Sequence, residues 1–346
     1  MQHPTLFFDD GDIVLSANTP IGEPWRFRVH RLTLSTHSPV FARILNERSQ
    51  VEQVDTDGIQ AVDNVRSLKI SEPAVDLAAL LQCLYYPNDM PFKLEEPTVK
   101  VDLAGLLRLC KKYDFVQLVS QVVDQLKYEW PTSLALYEVH ESRVREMGIA
   151  HAAAPQGLID RKYLDDRLPE PASIIRLSHE FNIPELLPAA LYALALISPT
   201  ADYDTFHSRA ARMSPELAGK LARLTRSARW SLLIPADLRA LAIGRDQLRS
   251  SRALTRVFEA RPHGATCASG CAALLAALRS LADDTHDILG ALTYLRLYIS
   301  EPERAPKLKI CAQCAAVTCR TIAVLRLRIW TSLPLWFKVA GVKCTE

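Results

Sequence analysis

The sequence predicts an α+β fold that is predominantly helical: short strands and helix hairpins up to residue 130, then an all-helical domain from 131 to 345 that carries cysteine pairs. Three observations predict it. Ile13/Leu15 and Trp25/Phe27/Val29 alternate with other residues at the period of two expected of half-buried strands. Beyond residue 70 the apolar residues recur instead at i, i+3, i+4 and i+7. Finally, 346 residues at 49% hydrophobic content are enough to build the cores of about two domains.

The elements follow in order. After the two strands, Ser38 is placed as an N-cap and Pro39 as the first helical residue, and Val40, Phe41, Ile44 and Leu45 then share one helical face. Ser49 to Asn64 is polar and lacks a period, which reads as a loop ahead of a short strand at Leu68-Lys69-Ile70. Pro73 opens a helix striped by Leu77, Leu80, Leu81 and Leu84, and Pro87 to Pro91 end it. Leu103, Leu106, Leu107 and Cys110 mark the next helix. It breaks near Tyr113-Asp114-Phe115 before Val119, Val122, Val123 and Leu126 stripe another, and Pro131 closes the domain.

Gly11-Asp12-Ile13-Val14-Leu15, Trp25 to Arg31, and His37-Ser38-Pro39-Val40-Phe41-Ala42-Arg43-Ile44-Leu45 together resemble the opening of a BTB/POZ domain, over about residues 7–130. The resemblance implies a non-enzymatic protein-interaction adaptor. It implies a homodimer formed through the first strand and first helices, with Ile13, Leu15 and Phe41 in an isologous interface and with Asp12 and His37 in a charged pocket there. Histidine stands where arginine is common, so the pairing with Asp12 is expected to be weaker near neutral pH. His30 and His37 are otherwise read as structural. Cullin recruitment for ubiquitin ligation and transcriptional co-regulation are the usual uses of such domains. Leu45-Asn46-Glu47 has the hydrophobic-x-Glu form that some cullin-binding members place after this helix. No Kelch repeat, MATH-like domain or zinc-finger array names the client protein.

The second half echoes the first. Shifted by 68 residues, Leu107-Arg108-Leu109 meets Ile175-Arg176-Leu177, and Tyr113-Asp114-Phe115 meets Phe181-Asn182-Ile183, both read as helix, tight turn, helix. Convergence on a stable hairpin accounts for this equally well. Leu177 to Ala190 is also similar to the segment that follows the BTB domain in mushroom-type (Agaricomycete) fungal BTB proteins. Helices are expected from Ser214-Pro215 onward, with Leu217, Leu221, Leu224, Leu248, Leu254, Val257 and Phe258 on their apolar faces.

Of eight cysteines, Cys267-x3-Cys271 and Cys311-x2-Cys314 stand as two close pairs, each heading a helical run. Two pairs of thiolates are what a tetrahedral structural zinc ion requires. The 39 residues between them exceed what a compact finger uses, and half-buried thiols without metal, or one adventitious disulfide, remain open. The resembling fungal proteins carry similar pairs. Cys83 and Cys110 lie on apolar helix faces and read as core, and Cys319 and Cys344 are unassigned. The aromatic tail from Ile329 to Phe337 is expected to dock on its own helical domain, with a partner groove or a membrane surface as alternatives.

Residues 201–346 carry 22 Lys and Arg against 12 Asp and Glu, whereas residues 1–200 carry 19 against 27. The basic half permits the alternative of a zinc-stabilised nucleic-acid-binding regulator, but the cations are scattered rather than blocked, which favours a solvated face. No Gly-rich phosphate loop, Gly-x-Ser-x-Gly elbow or His-Glu-x-x-His pair occurs, and twelve glycines leave few places for close backbone approach to a nucleotide, so no enzyme is expected. The start lacks a secretory pattern, and the longest nearly apolar run, Leu186 to Ile197, contains Pro188 and falls short of the ~20 residues that span a bilayer. An intracellular protein of the cytoplasm or nucleus, with reduced thiols and no membrane attachment, is expected.

Overall fold

The computed structural model describes residues 1–50, 65–87, 103–205, 226–250, 267–274, 276, 287–301, 307 and 309–342, with the side chains of 47–50, 156 and 250 left aside. Most of the polar loop after Ser49, the turn after Pro87, the helix expected from Ser214, the stripe at Leu254, Val257 and Phe258, and Cys344 lie outside these residues. The chain divides into two compact units, Met1–Gln125 and Leu126–Glu346.

Unit 1 is built on a four-stranded mixed sheet in the order β1-β3-β2-β4. Its strands are β1 (Gln2–Phe7), β2 (Ile13–Ala17), β3 (Trp25–Val29) and β4 (Arg66–Ile70). The two strands read from the sequence form an antiparallel pair with Ile13 opposite Val29, Leu15 opposite Phe27 and Ala17 opposite Trp25. β2 also runs parallel to β4, with Leu15 opposite Leu68. Burial of Val14 alongside Ile13 and Leu15 shows that β2 is covered on both faces, so it is an inner strand rather than a half-buried one.

Between β3 and β4 lie α1 (Arg31–His37) and α2 (Pro39–Gln50). Ser38 caps α2 as the sequence indicates, its Oγ accepting the Phe41 N–H at 3.0 Å. The same hydroxyl donates to the Tyr113 carbonyl, and the Phe41 ring stacks on Tyr113 at 4.7 Å. These contacts tie α2 to the turn between α4 (Leu103–Lys112) and α5 (Val116–Glu129). α3 (Ala74–Tyr85) completes the unit. It buries Leu77, Leu80, Leu81 and Cys83, while α4 buries Leu106, Leu107 and Cys110. Burial pushes the thiols of Cys83 and Cys110 up to about 12, which leaves them as inert core groups.

The described part of unit 2 is almost wholly helical, with α6 (Leu134–Ala153), α7 (Leu164–Arg167), α8 (Pro171–Phe181), α9 (Leu187–Ala195), α10 (Pro235–Ser250), α11 (Ile288–Ser300) and α12 (Ala312–Trp336). Side-chain caps start several of them. Ser133 Oγ accepts the Leu136 N–H, Glu170 accepts those of Ala172 and Ser173, and Asp287 accepts that of Gly290. α12 packs on α11, α10, α9 and α6. The aromatic tail docks at home: Ile329, Trp330, Leu333 and Phe337 are all buried. The Phe337 ring lies directly over Gly244 of α10, where a Cβ would come within 2.1 Å of two ring atoms.

Candidate functional site

The residues expected at an interface between copies fall into two groups. Ile13, Leu15 and Phe41 belong to the core of unit 1, at 3%, 0% and 0% exposure, and have no surface left to present to a second chain. This corrects the sequence reading: alternation and helical spacing show that a face is buried, not what buries it. Asp12 and His37 are exposed, but no Asp12–His37 contact forms among the described residues. Asp12 is held instead by the start of α1, its Oδ1 accepting the Arg31 N–H at 2.7 Å, as a carboxylate at a helix N-terminus does.

Among the exposed apolar side chains of the described part of unit 1, Leu32 on α1, at 77% exposure, is one the sequence reading passed over. His30 is structural as read: its Nδ1 lies 3.0 Å from the Tyr85 hydroxyl, which also accepts the His30 backbone N–H at 2.8 Å. Leu45 is buried, and its carbonyl accepts Arg31 Nη2 at 3.0 Å. Glu47 lies in α2, with its side chain outside the described residues.

In unit 2 the structure gathers three of the four cysteines expected to bind metal. The sulfurs of Cys267, Cys311 and Cys314 all lie within 4.8 Å of one another. Cys311 is the N-cap of α12, and its Sγ accepts the Cys314 N–H at 3.4 Å. Cys271 is not in this group of three. Its buried thiol is pushed up, first by burial and then by charge on neighbouring Cys267 and Cys311. None of the seven described cysteines, Cys319 included, is in a disulfide.

A second polar cluster went unread in the sequence. Arg326 has no exposed surface, yet it donates from Nη1 to Glu138 Oε1 and, at 3.0 Å, from Nη2 to Glu141 Oε2. Arg296 reaches Glu138 at 3.3 Å, and the Thr293 hydroxyl donates to Glu141 at 3.0 Å. α6, α11 and α12 are thus joined by a buried charge network whose partners stand as far apart as 188 residues in sequence. Its signal was a pair of acids on an otherwise featureless helix. Each charged group meets an opposite charge, although Glu141 Oε1 and Arg326 Nε are buried without a hydrogen-bond partner among the described residues, and the pairing marks a structural network.

The chain is therefore an α+β domain followed by a mostly helical unit, and the family of the first part is given by comparison. Residues 11–129 match the model of the BTB/POZ domain family, so this region is a BTB/POZ domain. The family is one of non-enzymatic protein–protein interaction modules, whose members commonly homodimerise and bind partners such as cullins. No curated protein and no solved structure matches the chain. Among the described residues no helix is long and apolar enough to cross a membrane.

Proposed function

We propose that this protein is a non-catalytic adaptor that pairs with a second copy through its BTB/POZ domain and presents the helical unit to a client protein. The observation that carries this reading is the match of residues 11–129 to a family of interaction modules. With Ile13, Leu15 and Phe41 committed to the core, pairing falls to exposed groups of the same elements: Leu32, Asp12 and His37. A large apolar side chain left almost fully in water is favourable to bury against a twin.

Within this reading a cullin scaffold is one client and a transcriptional complex the other, and any cullin contact at the Leu45-Asn46-Glu47 stretch, which lies within α2 rather than after it, rests on Glu47, since Leu45 faces inward. The thiol cluster of unit 2 takes a structural zinc ion, and its cysteines, in no disulfide, suit an intracellular setting. The test is co-expression of two full-length copies carrying different tags. Recovery of the second copy, with a cullin or another stoichiometric protein, supports the adaptor role. Recovery of one copy alone, accompanied only by chaperones, overturns it.

A further inference from the structure

We infer that Cys271 is the fourth ligand of a zinc ion held by Cys267, Cys311 and Cys314, so that the ion fastens the helical residues 267–274 to the N-terminus of α12. This rests on the reading of the cluster as a metal centre and specifies its coordination and its mechanical role.

Four thiolates at the usual zinc–sulfur distance of about 2.3 Å stand about 3.8 Å from one another. Three of the sulfurs already lie within 4.8 Å, so closing onto an ion takes side-chain rotation of about an ångström. The Cys311 end is prepared for a thiolate in two ways. It receives the Cys314 N–H, and as N-cap of a 25-residue helix it sits at the positive end of the helix dipole. Those features favour negative sulfur at the one cysteine of the set that is exposed.

Among the described residues, Cys271 is the donor of the right chemistry that sequence spacing brings to the fourth position. Cys271 follows Cys267 by four residues, one helical turn along the same face. It is buried. Cys319 is the contrasting case, because its sulfur faces the Ser300 hydroxyl at 3.8 Å. Crowding several thiolates together is unfavourable without a cation and favourable around one, because a divalent ion reverses the local electrostatics. A bond network from residues 267–274 to the start of α12 supplies a crosslink between two helical segments.

The full-length protein, purified without chelators, is predicted to carry one zinc ion per chain, with X-ray absorption reporting four sulfur neighbours. Cobalt substitution should give intense sulfur-to-cobalt charge-transfer bands. Cys271→Ser should weaken zinc binding, read by competition with a chromophoric chelator, by at least the ~10-fold that loss of even an outer-shell partner costs, while Cys319→Ser should match the wild type. Three sulfurs with one lighter neighbour, or a Cys271→Ser protein that binds like the wild type, overturns Cys271 as ligand and leaves the metal centre standing. A wild-type chain that holds no zinc and takes up neither zinc nor cobalt overturns the metal centre itself. The absorption measurement needs no variant, so it decides the point even where Cys271→Ser fails to fold.

Discussion

Asp114 and Asn182, 68 residues apart, end their helices in the same way. Both take left-handed backbone, at φ 59° and 56°, and in each case the next residue donates its N–H to the carbonyl five residues back: Phe115 to Cys110 at 2.8 Å and Ile183 to Ser178 at 2.9 Å. Each turn is flanked by buried side chains, Tyr113 and Phe115 in one and Phe181 and Ile183 in the other. This is the helix stop that glycine or asparagine favours, with the apolar contact that accompanies it. The sequence echo noted between the halves is thus an echo of backbone conformation.

The left-handed position sets the first prediction. Asn182→Gly should stabilise unit 2 by up to about 1 kcal/mol, and Asn182→Ala should destabilise it by about 1 kcal/mol, because a left-handed residue with a Cβ and no polar side chain bears the full steric cost. Urea unfolding of the full chain, followed by a probe for each unit, should show only the unit 2 transition moving. Equal midpoints for the alanine and glycine variants would remove the argument from backbone conformation.

Gly244 gives the second. Because Phe337 occupies the space of a Cβ there, Gly244→Ala should displace the ring and cost about 1–3 kcal/mol by overpacking, despite the better helix propensity of alanine. The double variant Gly244→Ala with Phe337→Leu should recover part of that loss. A thermal midpoint equal to or above wild type for Gly244→Ala alone would show that the tail does not rest on α10.

The buried network predicts both a size and a pH dependence. Arg326→Met removes the buried cation that joins Glu138 and Glu141, leaving Glu138 to Arg296 and Glu141 to Thr293 and Arg145, and should destabilise unit 2 by about 2–4 kcal/mol. Burial pushes the Glu141 carboxyl above its ordinary value of 4.5, a rise that Arg326 only partly opposes. The folded state therefore holds that proton more tightly than the unfolded one, and the contribution is present below the ordinary value and lost as pH rises through the raised one. Glu141→Gln should flatten the fall in stability across that window, read as unfolding midpoints at stepped pH. An unchanged slope would assign the dependence to other groups.

What the sequence made legible was local. The hairpin of β2 and β3, the Ser38 cap and the leucine stripes of α3 and α4 are set by neighbours in the chain, and each was readable. α1 was not, because Arg31–His37 contains Thr33, Ser35 and Thr36 and buries only Leu34. β1 buries only Leu6, and it is held by parallel pairing with β3, a distant partner that no local pattern announces. The same limit explains Glu138 and Glu141, whose meaning depends on Arg326. It also explains Ile13, Leu15 and Phe41, where periodicity marked burial without telling a core from an interface. The cysteine spacing located the thiol cluster, but only the fold shows which three sulfurs already meet.

Self-association of the BTB/POZ domain is the claim on which the adaptor reading depends, and Leu32 is an exposed apolar side chain of α1 that can take part in it. Leu32→Asp places a charge where that surface is to be buried, which costs little in a lone chain and a great deal in a pair. Sedimentation equilibrium of the full-length protein at micromolar concentration tests this most directly. The account predicts a species of twice the 38.6 kDa chain mass that Leu32→Asp shifts towards the single chain. A wild-type protein that sediments as one chain throughout that range would contradict it.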